Sequence, residues 1–192
     1  MKKTVISLVG MIGSGKTTLL NELIKDGYET LPEEYIIKKG YSFDNRLILS
    51  QWKWIGNWFE KVVTFFEENE KSTYVFVDSS ALVSGIWTSH CNPLFEPIQI
   101  SFDELRKLSF DFINIELYCD KEVLIRRIQE RLKTEPIRIQ YNETNMEFIN
   151  DLYFQYQNHK HLWDYRINST NRTSRELKDE LINFLKNRIE LF

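Results

Sequence analysis

The octapeptide Gly10-Met11-Ile12-Gly13-Ser14-Gly15-Lys16-Thr17 follows an apolar, β-branched run at residues 4–9 and leads into a helical pattern over residues 16–25. It matches G-x-x-x-x-G-K-[ST] in the context where that spacing has a physical meaning, a turn from strand to helix. Glycines let successive backbone N–H groups turn inward on phosphate oxygens, and the helix N-terminus adds partial positive charge. Gly10, Ile12, Gly13, Ser14, Gly15, Lys16, Thr17 and Thr18 are therefore the expected nucleotide-binding residues. Lys16 offsets β- and γ-phosphate charge and the Thr17 hydroxyl suits Mg²⁺, so ATP and Mg²⁺ are the expected cofactors. The motif implies nucleotide binding and leaves the reaction open.

Outward from this loop, strand-length apolar runs alternate with helical patterns. Short strands are predicted at residues 28–31, 73–77 (TYVFV), 112–118 and 165–167. Residues 44–68 carry apolar positions at Ile48, Trp52, Ile55, Phe59, Val62 and Phe66, close to a 3.6-residue period, and predict one long helix. Further helices are expected at 81–89, 101–109 (with Ser101 and Glu104 as a capping box), 120–133, 144–162 and 174–189. Such alternation implies right-handed βαβ units and a parallel sheet covered on both faces, with ligands at the carboxyl ends of its strands.

At 192 residues the chain suits a single domain, 1–192, able to bury its own core. A net charge of −3 with both signs interspersed gives no nucleic-acid stripe and no basic membrane face. Two cysteines, Cys91 and Cys119, form no disulfide framework, and no apolar run is long enough to span a bilayer; the expected location is cytoplasmic.

Polar residues gather where the strands end. Asp78 is placed to face a metal held beside Thr17, and the same carboxylate suits the N-cap of a following helix. Asp120 reads as an N-cap. Glu33 and Glu34 follow the second strand; a carboxylate there can take the proton of an attacking hydroxyl, or simply belong to a solvated loop. Arg127 and Arg131, four apart on one helix face, can converge on a triphosphate, the alternative being exposed pairs with Glu130.

With these residues in place the chain resembles the deoxynucleoside kinase family and is similar, more distantly, to thymidylate kinases. Pro32-Glu33 resembles the family's Pro-Glu-Pro segment, which implies Glu33 as general base for a sugar 5′-hydroxyl. Gln51, with Trp52 and Trp54 around it, resembles the helix glutamine that reads the base, and Asp78-Ser79-Ser80 stands where the family has Glu-Arg-Ser. The basic run from Arg127 through Arg131 and Lys133 resembles its lid motif, implying a short lid around residues 131–142, and 167–170 resembles the adenine loop. Two positions depart from the pattern: Ser79 replaces the arginine, and Glu34 replaces the second proline.

Beside Gln51, Trp54 and Trp58 are i, i+4 neighbours that offer a stacking wall for a nucleobase; packing in a core or a homodimer interface is the competing reading for the aromatic set. The expectation is a three-layer α/β/α P-loop NTPase fold with a five-stranded parallel sheet, in order 2-3-1-4-5 by resemblance. Its implied reaction moves the γ-phosphoryl of ATP to a small-molecule nucleoside 5′-hydroxyl or nucleoside monophosphate. Lys16, Glu33, Asp78, Arg127 and Arg131 are the catalytic candidates, Glu33, Gln51, Trp54 and Trp58 the acceptor site, and Thr17 and Asp78 the metal ligands. Two rival readings are a kinase of another small hydroxyl compound and a nucleotide-binding regulatory ATPase.

Overall fold

A computed structural model describes residues 2–32, 48–88 and 93–189. Glu33, Glu34, Cys91 and the predicted first turn of the long helix at residue 44 lie outside the described residues. Five strands, β1 (Lys3–Val9), β2 (Thr30–Leu31), β3 (Tyr74–Asp78), β4 (Phe110–Tyr118) and β5 (Tyr165–Asn168), form one parallel sheet in the order β2-β3-β1-β4-β5. Between them run α1 (Lys16–Lys25), α2 (Ile48–Glu68), α3 (Val83–Trp87), α4 (Phe95–Lys107), α5 (Lys121–Thr134) and α6 (Met146–Asn158), and α7 (Ser174–Lys186) follows β5.

Strand periodicity sends alternate side chains to opposite layers. Ile6, Leu8, Phe76, Ile113 and Ile115 pack with Leu19, Leu23 of α1 and Leu181, Leu185 of α7. Val5, Val9, Val75, Val77 and Phe112 face the other way, onto α2, α4, α5 and α6 through residues such as Ile55, Phe102, Leu124 and Leu152. Each fully buried side chain of this size stabilises the fold by roughly 1.5–3 kcal/mol. The centre of the sheet is thus sealed on both faces, which leaves the strand ends as the place for polar groups. Among the described residues no helix is long and apolar enough to cross a membrane.

Two local expectations are corrected. Ser101 does not cap a helix: α4 begins at Phe95, and Ser101 Oγ donates back to the Pro97 carbonyl at 2.9 Å inside it. Pro97 is tolerated because it sits in the first turn, where its missing N–H has no helical partner to lose. The capping box lies instead at Thr173 and Glu176, at the start of α7. The long helix expected to reach residue 162 ends at Asn158 and passes into a 3-10 turn, Lys160–Leu162, while Asn145 caps its start by accepting from the N–H groups of Glu147 and Phe148.

Candidate active site

β1 delivers the chain to the phosphate loop at the carboxyl edge of the sheet, and α1 leaves it at Lys16. Gly10 has φ +143°, and a Cβ there would lie 2.2 Å from the Leu117 carbonyl oxygen of β4. Gly15 caps α1 at φ +103° with no side-chain cap bond, so the loop reaches the helix through a backbone shape that side chains resist. Lys16 Nζ lies back across the loop, donating to the carbonyls of Gly10 at 2.8 Å and Met11 at 3.3 Å.

Thr17 and Asp78 meet where α1 passes the end of β3. The Thr17 hydroxyl donates to Asp78 Oδ2 at 3.2 Å, and Asp78 is 5% exposed. Its other oxygen, Oδ1, is buried with no partner among the described residues. Burial pushes the Asp78 carboxyl up from its ordinary value, against the opposing pull of Lys16, the Thr17 hydrogen bond and Lys61. A buried carboxylate oxygen left unmet is costly unless something else meets it. A hydroxyl and a carboxylate oxygen beside a phosphate loop are the hard oxygen donors that Mg²⁺ accepts, so these residues fit that ion.

Directly after Asp78 the chain turns through Ser79 at φ +74°, a strained conformation for a residue other than glycine. Ser79 N–H donates to the Leu8 carbonyl at 2.9 Å, and the Ser79 carbonyl accepts the Trp58 indole N–H at 3.2 Å. Trp58 is 5% exposed and makes edge contacts with Phe59 and Phe102. It packs in the core and braces the turn. Gln51 is buried at the start of the same apolar face of α2, and Trp54 is half-buried against that core.

Arg127 and Arg131 go to different protein partners. Arg127 donates to the Ser169 carbonyl at 2.8 Å, to Ser169 Oγ at 3.2 Å and to the Gly13 carbonyl at 3.5 Å. Ser169 Oγ in turn donates to the Ser14 carbonyl at 2.8 Å, so the turn after β5 is tied to the back of the phosphate loop. Arg131 pairs at 2.6 Å with Glu143, which also accepts from Arg138 at 3.3 Å. Glu143 is 3% exposed and closes the 3-10 turn Pro136–Tyr141, the expected lid region, onto α5. Ser169 as a hub and Glu143 as the arginine partner carried no signal in the sequence beyond their residue types. Asp120 occupies the N-cap position of α5 but makes no side-chain cap bond; its N–H donates to Thr170 Oγ1 at 2.9 Å.

An open depression of about 570 Å³ between β5 and α7, lined by Tyr165, Arg172, Glu180 and Phe184, shares no residue with this constellation. The site is assembled from the phosphate loop, the end of β3, α5 and the turn after β5.

No curated protein matches the chain in sequence. The fold is shared with deoxyadenosine kinase from M. mycoides bound to the products dCMP and dCDP, at TM-score 0.59 and 16% identity, covering 95% of this chain and 99% of that one. It is shared as well with shikimate kinase from Acinetobacter baumannii in complex with shikimate, at TM-score 0.56 and 19% identity, covering 98% and 96%. The profile of the AAA domain family matches residues 6–150, which contain the phosphate loop, Asp78 and both arginines. The chain belongs to that AAA domain family and has the three-layer fold of P-loop kinases.

Proposed function

We propose that the protein is a P-loop kinase that moves the γ-phosphoryl of ATP to a small-molecule acceptor, a nucleoside 5′-hydroxyl or a nucleoside monophosphate. The observation that carries this reading is the buried, unmet Asp78 Oδ1 held against Thr17 beside the phosphate loop. The loop N–H groups and Lys16 would bind the β- and γ-phosphates, and Thr17 and Asp78 would hold Mg²⁺. When bound, the ion offsets charge on the phosphate oxygens. Arg127 keeps the phosphate loop and the turn after β5 in register, so that the nucleotide meets a preformed cradle.

In the transfer the acceptor oxygen forms a bond to the γ-phosphorus while the bond to the β,γ-bridging oxygen breaks, and ADP leaves with that electron pair. The acceptor proton would pass to a carboxylate; Glu33, which follows β2 by two positions in sequence, is the candidate by its resemblance to the family's general base. Positioning and preorganised charge supply most of the acceleration in this chemistry.

A second reading, a hydroxyl acceptor other than a nucleoside, is favoured by Trp58 lying in the core and by the comparable likeness to shikimate kinase. ADP release measured against a panel of nucleosides, nucleoside monophosphates and small hydroxy acids separates these readings. Release dependent on one acceptor class supports the kinase. Release independent of every acceptor makes the protein a nucleotide-binding ATPase instead.

A further inference from the structure

Ser79 follows the metal-side carboxylate with a short neutral side chain, so any positive charge at the acceptor end of the site must come from elsewhere in the fold. α2 supplies it. Trp58 and Lys61 are three apart on this helix and therefore neighbours on its surface. Trp58 holds the turn after β3 through the Ser79 carbonyl, and Lys61 Nζ donates to the carbonyl of Pro32, immediately after β2. One turn of α2 thus grips the ends of two adjacent strands at the sheet edge where the phosphates would sit. The charge of Lys61 also acts on Asp78, together with that of Lys16. Asn57, four residues before Lys61 on the same edge of α2, buries its Nδ2 with no partner among the described residues. A donor hidden from water and unmet by protein is the kind of group that a polar acceptor would satisfy.

We propose that Lys61 is a positioning residue for the acceptor: by tying the end of β2 to α2 beside the Asp78–Ser79 turn, it sets where the acceptor oxygen stands relative to the γ-phosphoryl. The inference rests on the kinase reading above and extends it to a residue 29 positions from the carbonyl it holds. A misplacement of about 1 Å at a reacting centre costs on the order of 100-fold in rate, so the effect of losing this tie is large in turnover and small in nucleotide binding.

The test compares wild type, Lys61→Met and Lys61→Arg using the acceptor found by the panel. In Lys61→Met, kcat/KM for the acceptor is expected to fall by about 10- to 100-fold while KM for ATP stays unchanged. Hydrogen exchange at Thr30 and Leu31 is expected to accelerate, while that of β1 is unaltered. Lys61→Arg is expected to recover most of both losses, because it restores a donor and a charge. Native acceptor kinetics in Lys61→Met overturn the inference, and so does a kinetic loss without faster exchange at Thr30 and Leu31. So does a Lys61→Arg protein as impaired as Lys61→Met. A wild type that turns over no acceptor sinks the kinase reading and this inference together, whereas an active wild type matched by Lys61→Met sinks this inference alone.

Discussion

Thr17 and Asp78, 61 residues apart in sequence, meet through a 3.2 Å hydrogen bond that leaves the second carboxylate oxygen buried and unmatched among the described residues. The parallel pairing of β1 with β3, which sets Leu8 opposite Asp78, brings that carboxylate to the level where the phosphate loop begins. The carboxylate is thereby aimed at the space in front of α1.

Asp78→Asn keeps a hydrogen-bonding oxygen for Thr17 and removes the charge. Mg²⁺-dependent nucleotide affinity is expected to fall by about 10- to 100-fold, the usual scale for groups that hold a metal or its waters. Titration calorimetry with and without Mg²⁺ checks this. An unchanged Mg²⁺ requirement would remove Asp78 from the metal site.

The same carboxyl sets a pH dependence. Burial is the main force raising its pKa above 3.8, with Lys16, Thr17 and Lys61 opposing it. Between 3.8 and the raised value the folded protein without nucleotide binds more protons than the unfolded chain. Its stability therefore falls as pH rises through that window, and Asp78→Asn is expected to remove this component. Nucleotide binding with Mg²⁺ needs the charged form and moves the other way, weakening as pH falls through the raised value. Denaturant melts and binding titrations over a pH series check both signs.

Arg127 and Arg131 are expected to separate kinetically. Arg127→Ala loosens Ser169 and the phosphate loop together, raising KM for ATP and lowering stability by roughly 1–3 kcal/mol. Arg131→Ala leaves Glu143 its pair with Arg138 among the described residues and is expected to lower kcat more than it raises KM. Combining Arg131→Ala with Glu143→Gln should give a non-additive stability change of roughly 0.5–3 kcal/mol, as for residues in direct contact. Strict additivity would show that the pair makes no energetic contact in solution.

Trp58→Phe is expected to cost roughly 1–3 kcal/mol by leaving the buried Ser79 carbonyl without its indole donor. Acceptor preference should stay as in wild type, because Trp58 packs in the core. Denaturant melts and the acceptor panel measure the two effects, and a changed preference with native stability would return Trp58 to the acceptor site.

The sheet and its parallel sense were legible because β-branched runs bounded by turn residues alternate with amphipathic helices from Lys3 to Lys186, while the strand order agrees with what the family resemblance implies. The phosphate loop was equally legible, since glycines at fixed spacing encode a backbone shape locally. Contacts between distant segments were not. Spacing puts Arg127 and Arg131 on one face of α5, but it cannot say that Ser169 and Glu143 come to meet them. The apolar period read for α2 runs through Phe59 rather than Trp58, and spacing could not reveal that the Trp58 indole N–H reaches Ser79. The Ser101–Glu104 pattern imitated a capping box and so placed the start of α4 too late, whereas the helix opens at Phe95 with Pro97 in its first turn.

The most direct test of the account is calorimetric titration of wild type and Lys16→Ala with a non-hydrolysable ATP analogue and Mg²⁺. The account predicts saturable binding by wild type, weakened by about 10- to 100-fold in Lys16→Ala through loss of a charged hydrogen bond to phosphate. Equal affinity in the two proteins, or a wild type that does not bind, would contradict it.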